Sequence, residues 1–306
     1  MKIAVTGAFS YSGKYITGKL LHRKHSVVAL TNHPERAEAS GMAVPSRPLV
    51  FDDVAGLEAS LRGCQVLVNT YWIRFDHADT THRGAVDDSR QLVRAAVAAG
   101  VQRVVHISIT NPSKESILPY FSGKAAVEKS IEDSRMSYAV LRPTVLFGKE
   151  DILINNIAWL LRRFPFFLVA GRGDYRLQPV YVDDLAELAV QMVESDRRVV
   201  LDTVGPDILT FRGMVHMIGR VIGRERPIFS CPPALIRLAA KALGFFLGDV
   251  LLTSDELEGL MSGLLVSKES PRCKTRLEEW LRAHRDQVGS HYASELKRHY
   301  IHPSDA

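Results

Sequence analysis

The sequence of 306 residues lacks the features that mark several classes of protein. It contains only three cysteines, Cys64, Cys231 and Cys273, and no Cys-x-x-Cys pair. This argues against a disulfide framework and a zinc site, and it favours reduced thiols. The histidines show no metal-ligand spacing, and His82 and His106 have no evident role, so we expect no bound metal. Internal repeats and low-complexity linkers are also missing.

The sequence has neither a strong charge imbalance nor a long apolar run. Lys and Arg total 39 and Asp and Glu total 34, and no dense basic block suggests a nucleic-acid partner. No stretch approaches the roughly 18 uncharged apolar residues of a membrane-spanning helix. The nearest candidate, residues 234–247, contains Arg237 and Lys241. The first apolar run is too short for a signal peptide, so we expect a cytoplasmic protein.

Short apolar runs alternate with stretches of helical periodicity over the first 145 residues. Strands that are apolar on both faces and separated by helices indicate a parallel sheet with helices on both sides. We therefore predict an α/β fold, a doubly wound parallel Rossmann sheet with a smaller, mostly helical C-terminal substrate region. The predicted strands are residues 3–6, 27–31, 48–51, 65–69, 103–108 and 138–142.

The pattern changes near residue 150, where we place the main domain boundary. Residues 1–150 form the predicted dinucleotide-binding core, to which strands and a helix from about 175–205 return. Residues 151–306 form the predicted substrate or lid region, beginning with an amphipathic helix over 151–164. Residues 232–252 are apolar with a few basic residues. They are open to interpretation as a lid helix, a homodimer face or a membrane-surface contact, and a covered core helix is the simplest.

The first strand leads directly into a loop that contains Gly7 and Gly13, and a helix follows. A dinucleotide-binding fold needs this order, because a tight turn brings backbone amides at the helix N-terminus close to the pyrophosphate. Ser10 stands where a third glycine is usual, and its hydroxyl and amide can donate to the phosphates. The predicted cofactor contacts in this loop are Gly7, Phe9, Ser10, Tyr11, Ser12, Gly13 and Lys14.

The residues after the second strand bear on the choice between NAD and NADP. NAD-binding proteins usually place an acid there to hold the ribose hydroxyls, and none stands directly at this strand end. Arg36 and Lys14 can face a 2′-phosphate instead, so NADP(H) is favoured over NAD(H). Asp52 can accept from the adenine amine, with a helix N-cap as the alternative role. The predicted contacts in this region are Asn32, His33, Arg36, Asp52 and Asp53.

Three polar residues suggest hydride-transfer chemistry. Ser108 ends the fifth strand, and Tyr120 and Lys124 follow one helical turn apart, on one helix face. A lysine charge favours the phenolate, so Tyr120 can act as general acid or base while Ser108 holds the substrate oxygen. The spacing alone is not specific, because Tyr15 and Lys19 repeat it in the first helix.

Four stretches together resemble the extended or atypical short-chain dehydrogenase/reductase superfamily, in its NAD-dependent epimerase/dehydratase-like branch. They are residues 6–13, 105–108, 141–148 and 180–184, the last two carrying Arg-Pro and Val-Asp-Asp. The sequence is also similar to the nucleotide-binding accessory subunits of respiratory complex I. The resemblance implies a Rossmann fold with a cofactor crevice beside the fourth and sixth strands. The implied contacts there are Asn69, Thr70, Tyr71, Pro143, Thr144 and Val145.

Some residues depart from this family pattern. Ser10 replaces a glycine, Ala85 stands where an asparagine is usual, and Tyr71 and Trp72 would crowd the cofactor crevice. The complex I group binds NADPH and is thought not to catalyse a reaction. Two hypotheses remain: an oxidoreductase or epimerase that uses Tyr120 on a small carbonyl or alcohol, or a non-catalytic NADP(H)-binding sensor or an assembly or membrane-associated subunit. The substrate itself is not readable from the sequence.

Overall fold

The computed structural model describes residues 1–299, with the side chains of residues 38, 39, 298 and 299 excepted. In chain order its strands are β1 (Lys2–Thr6), β2 (Ser26–Leu30), β3 (Ser46–Arg47), β4 (Val66–Asn69), β5 (Arg103–Ile107), β6 (Ser137–Pro143), β7 (Leu146–Phe147), β8 (Phe167–Ala170), β9 (Arg176–Leu177), β10 (Val180–Tyr181), β11 (Val199–Thr203), β12 (Leu209–Thr210) and β13 (Ile228–Cys231). Its helices are α1 (Tyr11–His22), α2 (Glu35–Ser40), α3 (Val54–Leu61), α4 (His82–Ala98), α5 (Pro119–Asp133), α6 (Leu153–Arg163), α7 (Val182–Glu194), α8 (Phe211–Val221), α9 (Pro233–Leu247), α10 (Ser254–Met261), α11 (Leu277–His284) and α12 (Glu295–His299).

The chain divides into two compact units. Unit 1 comprises Met1–Pro143 and Val182–Thr203, and unit 2 comprises Thr144–Tyr181 and Val204–Ala306. Helix α7 and strand β11 are therefore the part of the chain that returns to unit 1. The start of the stretch predicted to return, up to Tyr181, belongs to unit 2, where Gln178 and Pro179 separate the short strands β9 and β10.

Unit 1 is built on one seven-stranded sheet in the order β11-β6-β5-β4-β1-β2-β3. Every neighbouring pair in it is parallel, which confirms the predicted doubly wound sheet. The strands β1, β4 and β5 are adjacent, so their carboxyl ends meet at one edge. Ligands of open parallel sheets bind at such an edge.

Apolar side chains from both sides of the sheet form the core of unit 1. Strand β1 is buried from Ile3 to Thr6, and α4 turns its apolar stripe inward through Leu92 and Ala96. Thr81 caps α4 by accepting a hydrogen bond from the Gly84 N–H group at 3.0 Å. The long helix between the fourth and fifth strands thus buries its apolar stripe, although Val97 on it is 47% exposed.

The third strand is shifted from its predicted position. It was predicted at residues 48–51, but β3 is Ser46–Arg47 and pairs with the end of β2. Pro48 has no N–H group to donate to the ladder, so regular pairing ends there. The Asn32 side chain continues the contact, donating to the Leu49 carbonyl at 2.7 Å and accepting from the Leu49 N–H group at 2.9 Å.

Unit 2 has its own core and three small two-stranded sheets, β7 with β10, β9 with β12, and β8 with β13. Helices α6, α8 and α11 supply Ile157, Met214 and Leu281 to this core. Helix α9 differs, because Gly244 is its only buried residue. The interpretation of α9 as a covered core helix is therefore wrong. No helix within residues 1–299 is long and apolar enough to span a membrane.

Candidate functional site

The loop between β1 and α1 is a tight turn that closes on itself. Gly7 adopts a left-handed backbone with φ of 60°, and its carbonyl accepts the Ser10 N–H group at 2.8 Å. Phe9 lies within this turn, and Tyr11 begins the helix. A Cβ atom on Gly13 would lie 1.9 Å from the Gly7 carbonyl oxygen. Both glycines are therefore required for the turn to pack against the helix.

The first turn of α1 suits an anionic ligand. The N–H groups of Ser12 and Gly13 have no acceptor within the helix because they belong to its first turn. That turn contains no acidic residue, so its dipole is not neutralised. The Ser10 Oγ atom lies 3.0 Å from where a Cβ of Gly7 or Gly13 would be, and it caps no helix N–H group. Its hydroxyl is thus turned into the loop, and the amides fit a dinucleotide pyrophosphate.

Hydrogen bonds tie the loop after β4 to the end of β1. The Thr6 hydroxyl donates to Asn69 Oδ1 at 3.0 Å and accepts the Thr70 and Tyr71 N–H groups at 2.9 Å and 3.1 Å. The Thr70 hydroxyl donates to the Thr6 carbonyl at 2.5 Å. Asn69 is fully buried, and its Nδ2 atom has no partner within residues 1–299. Asn69 and Thr70 therefore position this loop beside the glycine turn.

The two bulky aromatics in this loop pack in different directions. The Tyr71 hydroxyl donates to Asp88 at 2.6 Å, and its ring lies 4.7 Å from that of Phe51. Burial raises the pKa of Asp88. Trp72 packs on α5, where a Cβ atom on Gly123 would lie 2.8 Å from the indole. Tyr71 is thus held against α4, and Trp72 is held against α5.

The polar side chains after β2 differ in whether they have partners within the protein. Both amide atoms of Asn32 are engaged with the Leu49 backbone. His33 Nδ1 lies 3.2 Å from the Glu35 carboxylate. The Arg36 guanidinium is half-buried and has no ion-pair partner among the side chains that the structure describes. Arg36 is therefore the cation after β2 most able to meet a phosphate.

The remaining predicted cofactor contacts are Asp52, Asp53 and Lys14, and the structure gives each a different environment. Asp53 is the N-cap of α3 and accepts the Gly56 N–H group at 2.9 Å, so the capping role considered for Asp52 belongs to its neighbour. Asp52 is exposed beside it. The Lys14 ammonium lies 5.7 Å from the centre of the Tyr15 ring.

Ser108 is 3% exposed, and its hydroxyl donates to the carboxylate of Glu128 on α5. The same carboxylate accepts two hydrogen bonds from the Arg142 guanidinium, one of them from Nε at 3.0 Å. The Thr110 hydroxyl donates to the Arg142 carbonyl at 2.7 Å. The hydroxyl that was predicted to hold the substrate thus belongs to a buried network linking β5, α5 and β6. Sequence reasoning missed Glu128, although it lies one turn beyond Lys124.

Lys124 is buried beneath Trp72. Its Nζ atom donates to the Ile107 carbonyl at 2.8 Å and lies 4.6 Å from the centre of the indole ring. Burial lowers the pKa of Lys124 to about 7, although the Glu128 charge opposes the change. Burial, and secondly the Lys124 charge, lower the pKa of His106 well below its usual value. His106 is therefore neutral at physiological pH.

Tyr120 lies in the first turn of α5, directly after Pro119. Its ring centre lies 5.9 Å from those of Trp72 and His82. Trp72 therefore contacts both members of the Tyr120 and Lys124 pair. His82 Nδ1 lies 2.6 Å from the Asp76 carboxylate, and Nε2 is buried without a partner within residues 1–299. No local pattern predicts His82 at this position, because His82 opens a different helix, α4.

The residues after β6 complete the predicted set. The Pro143 carbonyl accepts the Thr110 N–H group at 2.9 Å within unit 1. In unit 2 the Thr144 hydroxyl donates to the Gln178 carbonyl, and the Val145 carbonyl accepts the Val180 N–H group at 2.9 Å. No group of three or more His, Cys, Asp or Glu residues within the described part of the chain could hold a metal ion.

Comparisons with known proteins agree with this geometry. Residues 7–157 match the family model described as NAD(P)H-binding. A mitochondrial NADH dehydrogenase [ubiquinone] 1 alpha subcomplex subunit 9 from Arabidopsis thaliana is 24% identical over 286 residues, which span 86% of this chain and 70% of that protein. An uncharacterized protein of Mycobacterium tuberculosis is 27% identical over 233 residues, 72% of this chain but only 23% of its own length.

Among solved structures, an NADPH-dependent quinone oxidoreductase from Escherichia coli, complexed with NADPH, has a TM-score of 0.73 at 23% identity. The alignment covers 90% of this chain and 97% of that one, and at this identity it shows a shared fold. A nucleoside-diphosphate-sugar epimerase from Staphylococcus aureus has the same fold, with a TM-score of 0.72 at 16% identity over 92% of this chain and 100% of that one. The predicted resemblance is confirmed at this level: residues 7–157 match the NAD(P)H-binding family model, and the chain has the Rossmann fold of the NADPH-dependent quinone oxidoreductase and the sugar epimerase.

Proposed function

We propose that the chain is an NADP(H)-dependent oxidoreductase that acts on a small carbonyl or alcohol, with Tyr120 as the acid/base. The placement of Tyr120 carries the proposal. The glycine loop follows β1 and Tyr120 follows β5, and the carboxyl ends of these strands lie at the same sheet edge, separated only by β4. That edge is where a cofactor and a substrate meet in folds of this kind.

The bound nicotinamide supplies or accepts the hydride in such a reaction. In the reductive direction Tyr120 gives its phenolic proton to the substrate oxygen, and in the oxidative direction it takes the proton back. Lys124 lies on the same helix face, and its pKa of about 7 leaves it partly protonated at neutral pH. A positive charge there favours the phenolate. The Trp72 indole, against both side chains, keeps this face of α5 apolar.

A second candidate function is NADP(H) binding without catalysis, as a sensor or as an assembly or membrane-associated subunit. One observation favours it: the Ser108 hydroxyl donates to Glu128 and the Lys124 amine donates to the Ile107 carbonyl. Two of the three predicted catalytic groups are thus engaged within the fold. The plant relative, named as a subunit of NADH dehydrogenase, supports the same alternative.

A measurement of NADPH consumption distinguishes the oxidoreductase from the binding protein. We expect the purified chain to bind NADPH and to consume it with at least one member of a panel of small aldehydes, ketones and quinones, measured by NADPH absorbance. Saturable NADPH binding by calorimetry with no consumption across the panel would reject the oxidoreductase and leave the binding protein.

The choice of NADP(H) over NAD(H) depends on Arg36. A guanidinium bonded to a 2′-phosphate contributes about 1.5–3 kcal/mol, so we expect Arg36→Ala to weaken NADPH binding roughly tenfold to 100-fold. NADH binding should be unchanged, because NADH lacks that phosphate. Arg90→Ala is the matched control, since Arg90 pairs with Asp87 on the surface of α4. Equal protection of the wild-type protein by NADH and NADPH against thermal unfolding would contradict the assignment.

A further inference from the structure

One face of α9 is apolar and open to solvent. Phe245 and Phe246 are 85% and 83% exposed, and Leu235 and Leu238 are also exposed. Helical periodicity places these four side chains on a single broad face, while Gly244 lies on the opposite, buried side. Apolar side chains this large are rarely grouped on a protein surface unless they meet a partner or a membrane.

The charges on the same helix have one sign. Arg237 and Lys241 are exposed one turn apart; Lys241 lies at the margin of the apolar face, and Arg237 lies nearer the side of Gly244. Within Pro233–Leu247 there is no Asp or Glu. Long basic side chains beside an apolar face extend toward phosphate headgroups while their methylene stems stay in the apolar layer. The helix therefore has the residue pattern of one that lies in a membrane interface.

Two further aromatic rings are exposed at the strands next to α9. Phe166 and Phe229 are exposed, their rings lie 6.1 Å apart, and both belong to the β8 and β13 region from which the chain enters α9. Strand β13 pairs with β8, against which α9 packs. We call the exposed apolar face of α9, with Leu235, Leu238, Phe245 and Phe246, the α9 surface.

We propose that the α9 surface docks on an anionic phospholipid bilayer, with α9 parallel to the membrane plane. Phe245 and Phe246 enter the acyl boundary, and Arg237 and Lys241 meet lipid phosphates. A second copy of the chain fits less well, because a two-fold contact would bring equal positive charges together with no acid on the helix to pair with them. The proposal is independent of the oxidoreductase assignment.

Co-sedimentation of the full chain with lipid vesicles tests the proposal. We expect binding to phosphatidylcholine vesicles that contain phosphatidylglycerol and much weaker binding to pure phosphatidylcholine. The double variant Phe245→Ser/Phe246→Ser should bind at least about tenfold more weakly, because each buried aromatic ring contributes apolar transfer energy. The variant Arg237→Gln/Lys241→Gln should lose about 25-fold on the anionic vesicles, roughly fivefold for each basic residue.

The control is Ile117→Ser, which removes an 82% exposed apolar side chain from unit 1 and should leave vesicle binding unchanged. The changed residues are exposed, so circular dichroism should show the wild-type fold for all three variants. Absence of vesicle binding, or equal binding by every variant, would overturn the proposal. It would also be overturned if light scattering showed a dimer that Phe245→Ser/Phe246→Ser dissociates while no variant binds vesicles, since a second copy would then cover the surface.

Discussion

Replacing Gly13 with alanine is expected to abolish dinucleotide binding. The added Cβ atom would lie 1.9 Å from the Gly7 carbonyl oxygen, a backbone atom that can move only if the turn opens. Opening the turn displaces the N–H groups at the start of α1 from the pyrophosphate. Loss of two hydrogen bonds to a charged group lowers affinity by roughly 100-fold or more. Isothermal calorimetry with NADPH measures the effect.

Gly18→Ala provides a matched control in the same helix. Gly18 is exposed, and a Cβ atom there would meet nothing within 4 Å. Alanine is the better helix former by about 1 kcal/mol, so this variant should be slightly more stable and should bind NADPH normally. A Gly13→Ala variant with a wild-type circular dichroism spectrum and wild-type affinity for NADPH would show that the loop does not hold the phosphates.

Tyr120→Phe is expected to remove most of the turnover while NADPH affinity is retained. The phenylalanine ring keeps the contacts with Trp72 and His82, so the fold should be unaffected. Only the phenolic hydroxyl group is lost, and general acid–base catalysis typically contributes about 10²–10⁴-fold in rate. The measurement is kcat on the carbonyl found to be a substrate, together with the Kd for NADPH.

Tyr15→Phe is the control, because Tyr15 and Lys19 have the same spacing within α1. Lys19 is held by Asp183 at 3.0 Å, in an ion pair on the side of α1 that faces α7. This variant should keep its turnover. If Tyr120→Phe retained wild-type kcat, Tyr120 would not be the proton donor, and the oxidoreductase would need another acid.

The helices and central strands of unit 1 follow from local sequence patterns. Strands β1, β4 and β5 are short apolar runs, and α4 has a strong apolar stripe, so periodicity identifies them. Strands β8 and β13 were not predicted. Strand β13 leaves Phe229 exposed and has no buried apolar pattern, whereas β8 is a short apolar run before Gly171 that local reasoning missed.

Some features of the candidate site could be predicted from neighbouring residues, and others could not. The glycine loop was predictable because its turn, its close approach and its helix start all depend on neighbouring residues. The partner of Ser108 was not, because Glu128 reaches it from the middle of another helix. The position of His82 beside Tyr120 likewise depends on how α4 and α5 pack together.

The sequence by itself determined the doubly wound sheet, the dinucleotide loop and the order of the site residues along the chain. Strand and helix periodicities and turn geometry are local, so they can be read from neighbouring residues. Only the tertiary structure decided which groups share a buried environment. In it the Ser108 hydroxyl donates to Glu128, and Lys124 is buried under Trp72. The apolar face of α9 is exposed. Burial and pairing depend on residues far apart in sequence, and they set the charge state and availability of each group.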